Sequence, residues 1–175
     1  STEWAVVAKF YAVKAGAYEI TTRNQPGKSR APILTKDGKE VFEIAWPPYT
    51  LHKLLTSKGQ VVGSNTQGQI EAYDATGKKI WNVRRAGRID DAIVLEKQGV
   101  MAIAYKRNLY NWQWEFRPVL ELIDLRTGRT KSAFEGAATD DYGHYGTHLE
   151  LTASRDGSVI YLGGPSGRIY RASMQ

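Results

Sequence analysis

ILTKDGKEVFEI, Ile33 to Ile44, lies over AYDATGKKIWNV, Ala72 to Val83, without a gap. Gly38 falls on Gly77, Lys39 on Lys78, Val41 on Ile80 and Phe42 on Trp81. Each stretch reads as a strand, a tight turn with glycine where a positive φ is expected, and a second strand that begins with lysine and alternates. The turn glycines are 39 residues apart, and a fixed spacing of that size is the mark of a repeat architecture.

Two further copies follow. LIDLRTGRTKSAF, Leu122 to Phe134, places Gly128 51 residues beyond Gly77, which is 12 more than the period. The excess is local: Val61 to Gly77 spans 16 residues and the matching Val100 to Gly128 spans 28. The hairpin holding RNLYNWQWEFRP, Arg107 to Pro118, therefore carries the insertion. VIYLGGPSGRIYRAS repeats VVGSNTQGQIEAYD with Gly167 on Gly68 and Ile169 on Ile70, and the next turn glycine would fall at position 176. That unit is expanded by 9 residues, within EGAATDDYGHYGTH, Glu135 to His148.

The segments are short, β-branched and aromatic, and Gly, Asp and Asn break them every eight to twelve residues, which reads as all-β. A unit of about forty residues with four short antiparallel strands has the length of a propeller blade. One such sheet cannot bury both faces, so blades stack and each presents an apolar row to its neighbour. The expected fold class is an all-β propeller of four-stranded antiparallel blades, about three and three-quarters of them, in a single domain over residues 1–175. The blades are placed at about 1–46, 47–85, 86–135 and 136–175. Strands A to D of the first are placed at about 3–11, 16–23, 30–35 and 39–45.

Composition agrees and narrows the function. The 42% hydrophobic and 24% charged residues are ordinary for a soluble chain, and 17 glycines fit many turns. No apolar run reaches the length of a membrane helix, and no secretory leader opens the sequence. The absence of cysteine removes disulfides, thiolate metal sites and a cysteine nucleophile, and fits cytosol and periplasm alike. The compartment stays open. A net charge of +6 with scattered Lys and Arg favours acidic partners in general and speaks only weakly for nucleic acid.

Certain residues resemble a known family. GQIEAYDATGKKIW, Gly68 to Trp81, is similar to the repeat of quinoprotein-like β-propellers, in which a glycine, an alanine before an aspartate, a threonine-glycine turn and a tryptophan recur. It has one residue fewer between Asp74 and Thr76 than that pattern, and the third copy has the fuller spacing at Asp124, Thr127 and Gly128 but no tryptophan. HLELTASRDGSVIYLGG, His148 to Gly164, equally resembles the inner strands of WD40-type blades. The resemblance implies a propeller, with His148 making structural hydrogen bonds.

Three full blades and strands A, B and C of a fourth make fifteen strands, short of the four blades of a closed propeller. The exposed last strand, GRIYRAS, would be a template for pairing, so a protein partner or a second copy is expected to complete or cap the ring. That expectation fails if solution scattering shows a closed, compact monomer.

The two insertions are expected on one face of adjacent blades, because the B–C hairpin and the D–A connection emerge at the same end of an antiparallel blade. Extended loops on a rigid scaffold are where binding residues gather. The first supplies Tyr110, Trp112, Trp114 and Phe116 beside Lys106, Arg107 and Arg117, the composition of interface anchors and of stacking platforms. The same period-two rings would also serve as a satellite core under the longer hairpin. The second supplies Asp140, Asp141, Tyr142, His144 and Tyr145, for which partner binding or loop ordering is favoured over a metal site. Asp74, Gly77, Trp81, Asp124, Gly128 and His148 are expected to be structural blade residues. No phosphate loop, nucleophile elbow or zinc signature is present, and no catalytic residue, metal or cofactor is assigned. The expected function is a non-catalytic scaffold that binds a protein through the inserted face. The alternatives are part of a propeller enzyme, a quinoprotein oxidoreductase or a hydrolase, and a carbohydrate- or nucleic-acid-binding module.

Overall fold

The structure, a computed structural model, describes residues 13–23, 31–47, 49–65, 67–85, 87–108, 115–137, 139–140, 148–164 and 167–174. Its strands form four separate antiparallel sheets in sequence order. The first joins β1 (Val13–Ala15), β2 (Tyr18–Arg23), β3 (Ala31–Lys36) and β4 (Lys39–Glu43). The second joins β5 (Thr50–Leu55), β6 (Val61–Asn65), β7 (Gln69–Tyr73) and β8 (Lys79–Arg84). The third holds β9 (Ile89–Leu95), β10 (Val100–Asn108), β11 (Glu115–Asp124) and β12 (Thr130–Glu135), with β13 (Thr139–Asp140) also on β11. The fourth is β14 (Glu150–Ala153), β15 (Val159–Gly163) and β16 (Ile169–Ser173).

The glycine turns explain why the sheets look alike. Gly38, Gly77 and Gly128 have φ of 76°, 89° and 71°, a region closed to most side chains. Beside two of them an aspartate satisfies the turn. Asp74 Oδ1 accepts from the Thr76 and Lys78 N–H groups at 2.9 and 3.0 Å. Asp124 Oδ1 accepts from the Arg126 and Thr127 N–H groups at 3.0 and 2.8 Å. The Thr76 hydroxyl, backbone and Lys78 hold the Asp74 carboxyl below its ordinary value. Each of the three C–D pairs also slips register once, after Leu34, Ala72 and Leu122.

The first sheet differs from expectation at its start. Its described inner strand is Val13–Ala15, which turns at Gly16 (φ 60°) to pair Ala15 with Tyr18 and Val13 with Ile20. Residues 3–11 lie outside the described residues. Among the described residues β13 makes one strand more than the fifteen expected.

Three apolar clusters lie between consecutive sheets. Leu34 and Ile44 of the first meet Leu55, Val61 and Tyr73 of the second. Val62, Ile70 and Trp81 of the second meet Met101, Ile103 and Ile123 of the third. Leu120 and Leu122 of the third meet Leu149, Ile160 and Leu162 of the fourth. Aromatic residues of the outer strands seal two of these joints. A Cβ on Gly77 would stand 2.8 Å from Phe42 Cγ, and one on Gly128 2.7 Å from Trp81 Cδ2. Trp81 Nε1 also donates to the Leu125 carbonyl at 2.8 Å, tying the second sheet to the third. Where Phe42 pairs Leu34 and Trp81 pairs Ala72, Ser132 pairs Leu122.

Candidate partner-binding face

The two insertions meet. β10 and β11 stay paired through Lys106↔Pro118 and Arg107↔Arg117 to Asn108↔Phe116. β12 leaves the edge of β11 at Val119↔Glu135, and β13 rejoins that edge at Phe116↔Thr139 and Glu115↔Asp140. Between them the Gly136 N–H donates to the Pro118 carbonyl at 2.8 Å. A Cβ there would be 2.7 Å from both Pro118 Cγ and Tyr170 Cζ, so a larger residue would have to displace these side chains where the chain passes between the third and fourth sheets. The expanded B–C hairpin and the expanded D–A connection are thus joined by backbone pairing.

Charge on this hairpin is partly neutralised. Arg107 Nη1 lies 2.5 Å from Glu135 Oε1 and Arg117 Nη1 3.8 Å from Glu135 Oε2, so one carboxylate bridges two guanidiniums that face each other across the strands. Both arginines remain exposed. Lys106 Nζ stands 4.7 Å from the Phe116 ring centroid.

Phe116 itself corrects one expectation. It is buried, with 8% of its surface exposed, so this ring packs inward and is not a free anchor for a partner. Alternation along β11 puts it on the side of Pro118 and Leu120, which are also buried. Tyr110, Trp112, Trp114, Asp141, Tyr142, His144 and Tyr145 lie outside the described residues, and Asp140 is placed by its backbone in β13.

Beneath the face sits a buried ionic group. Glu121, 3% exposed, takes Arg85 Nε at 2.9 and 2.8 Å and Nη2 at 2.6 Å. The Thr130 hydroxyl donates to Oε1 at 2.5 Å and the Tyr105 hydroxyl to Oε2 at 3.2 Å. Burial pushes the Glu121 carboxyl up, but Arg85, Thr130 and Tyr105 together hold it below its ordinary value. Burial first, and then the Glu121 charge, raise the Tyr105 hydroxyl. Arg85 comes from the end of β8 and Glu121 from β11, so this pair locks the second sheet to the root of the expanded hairpin.

Nearer the centre, the inner strands are stitched by aspartates. The Leu149 N–H donates to Asp90 Oδ2 at 3.3 Å and the Leu151 N–H to Asp91 Oδ2 at 2.8 Å. His148 Nδ1 lies 3.6 Å from Asp90 Oδ1, with the ring half-exposed. Buried His52 spans Ser64 Oγ at 2.8 Å and the Asp90 carbonyl at 3.2 Å. Among the described residues no three His, Asp or Glu side chains are grouped to hold a metal ion, and no helix is long and apolar enough to cross a membrane.

The sequence reading passed over Arg85, Glu121, Asp90, Asp91 and His52. A usable signal existed for one. Glu121 interrupts the apolar run VLELI, Val119 to Ile123, at a position where burial demands a partner.

No protein-family model and no curated protein matches the sequence. Solved structures do. The structure is similar to Kluyvelomyces marxianus Hsv2 at a TM-score of 0.63 and 13% identity, over 93% of this chain and 46% of that one. It is similar to the WD40 β-propeller domain of Doa1 at 0.53 and 10% identity, over 93% and 52%. The computationally designed Ika4 protein matches at 0.64 and 11% identity, over 100% of this chain and 96% of that one. The chain spans about half the length of Hsv2 and of the Doa1 domain. These likenesses establish the fold: the chain has a β-propeller architecture of about three and three-quarter blades.

Proposed function

We propose that the chain is a non-catalytic propeller scaffold that binds a protein partner through the end carrying the two insertions. The observation that carries this reading is the pairing of β13 with β11, which joins two segments the repeat does not need into one surface. Three aromatic residues, Tyr110, Trp112 and Trp114, fall in the sequence between β10 and β11, and Arg107 and Arg117 flank them. Aromatic and arginine side chains are the ones that dominate binding energy at protein interfaces. Their support is not accidental either. The Arg85–Glu121 group holds the root, and a rigid base lowers the entropy lost when a partner docks.

The quinoprotein-like character of Gly68 to Trp81 is part of this proposal at the level of the repeat alone. Cofactor spectra of the protein purified from its native source test the enzyme reading, and a bound quinone absorbance would replace the scaffold. Three cations at the hairpin, Lys106, Arg107 and Arg117, favour a nucleic-acid reading as second choice, which steep weakening of binding by salt would reveal.

The decisive experiment compares the wild-type chain with Trp112→Ala/Trp114→Ala as bait in quantitative cross-linking. Loss of a specific protein partner at an unchanged melting temperature supports the reading. Undiminished capture sinks it, and loss of folding would make the rings part of the core.

A further inference from the structure

We propose that the end formed by the C–D turns is a docking surface for the phosphate backbone of a nucleic-acid duplex, apart from the end with the insertions and for a different class of partner. The basic residues are scattered along the sequence, but the fold gathers them. The turns from β3 to β4, β7 to β8 and β11 to β12, residues 36–39, 74–79 and 124–131, occupy the same place in three successive sheets. They hold seven Lys and Arg and three Asp, so these turns carry four of the six net positive charges of the chain.

The carboxylates there are mostly occupied by their own turns. Asp74 and Asp124 each accept from backbone N–H groups and from a threonine hydroxyl. Most of the cations are not so engaged. Lys79 pairs with Glu71 at 3.0 Å and Lys131 lies 3.8 Å from Asp124, but Lys39, Lys78, Arg126 and Arg129 are exposed and form no ion pair among the described residues. The A–B turns at the same end add Lys58, Lys97 and Arg155, all exposed. Their carboxylates are engaged too, Glu96 by the Ser57 N–H and Asp156 by Ser154 and Ser158.

The three turns form one strip, because the Phe42 ring lies against the Gly77 turn and the Trp81 ring against the Gly128 turn. Sheets pack about 10 Å apart face to face, so the strip is about 20 Å long. A duplex presents one negative charge per about 1.7 Å of its axis, or about 12 over that length. The chemistry of the turns selects among polyanions. Their one large apolar side chain, Leu125, is buried, and they hold no aromatic residue. Nothing in them enters a bilayer or stacks on an unpaired base, which leaves the regular charge of a duplex backbone.

Fluorescence anisotropy of a labelled DNA duplex, titrated with the full chain over a series of salt concentrations, tests this. Lys39→Gln/Lys78→Gln/Arg129→Gln should weaken binding at least about tenfold at low salt and flatten the slope of log Kobs against log salt by about 2.7, since each phosphate neutralised contributes about 0.9. Unchanged affinity and slope, or no binding of the duplex by the wild-type chain, overturn the proposal. Loss of binding in Arg107→Gln/Arg117→Gln with the triple variant unaffected would assign the duplex to the inserted hairpin and overturn it as well. Binding to vesicles of phosphatidylcholine and phosphatidylserine with none to the duplex would make this end a membrane contact instead. If the triple variant does not fold, Lys78→Gln and Arg126→Gln taken singly should each flatten the slope by about 0.9, and no change in either contradicts the surface.

Discussion

The two ends of the propeller are built by different rules. At the end of the A–B and C–D turns the repeat governs: Gly77 and Gly128 have the same backbone sign, each lies against an aromatic ring of the preceding sheet, and Asp74 and Asp124 cap alike. At the other end the B–C and D–A segments depart from the repeat, and the third sheet there acquires a long hairpin and an added strand. One end is fixed by what every blade needs in order to stack. The other keeps only an anchored base, Arg85 on Glu121, and spends its extra residues beyond it.

Perturbing the repeat end should cost most. Trp81→Ala removes a nearly buried ring from the joint between the second and third sheets and should lower stability by about 4 kcal/mol. A loss near zero in chemical denaturation would show that the aromatic-on-glycine contact does not hold the stack. Arg85→Ala tests the base of the other end. It leaves the buried Glu121 carboxylate without its cation and should cost about 3 kcal/mol. If the melting temperature is unmoved, the inserted hairpin is not anchored there.

Acid should then separate the two ends. Glu121 titrates below its ordinary 4.5 when folded, so its contribution is complete above that value and is lost as pH falls through the depressed folded value. Asp156, in the turn between β14 and β15, is brought down to about 2 by Ser154 and Ser158, so its share is lost between about 3.8 and 2. Glu121→Gln should flatten the fall in stability that begins below 4.5, while Asp156→Asn should alter only the lower window. Identical acid profiles for both variants would break the distinction. Smallest of all, Arg107→Ala or Arg117→Ala should change stability by less than about 1 kcal/mol, since both pairs with Glu135 are exposed. A larger effect would move these arginines from the binding surface into the structural base.

The uneven legibility of the sequence has the same origin. The 39-residue spacing of Gly38 and Gly77 disclosed the sheets because a turn glycine and an aromatic four residues on are local in sequence. The excess lengths in the third and fourth units disclosed where the expansions fall, and the pairing at Phe116 and Thr139 joins them. Burial of Phe116 was not legible, because alternation assigns a side of the strand without saying what covers it. Arg85 on Glu121, 36 residues apart, and Asp91 on Leu151, 60 apart, depend on how one sheet rests on the next. Residues 3–11, where the first inner strand was expected, lie outside the described residues.

The central claim is that binding belongs to the end with the insertions, and photo-crosslinking tests it most directly. A benzophenone amino acid at Gln113, between β10 and β11 in the sequence, and the same group at Arg126, in the turn between β11 and β12, probe the two ends in one otherwise unchanged chain. Capture of a protein partner from Gln113 and none from Arg126 is the predicted result. Capture from Arg126 alone, or equally from both, would contradict it.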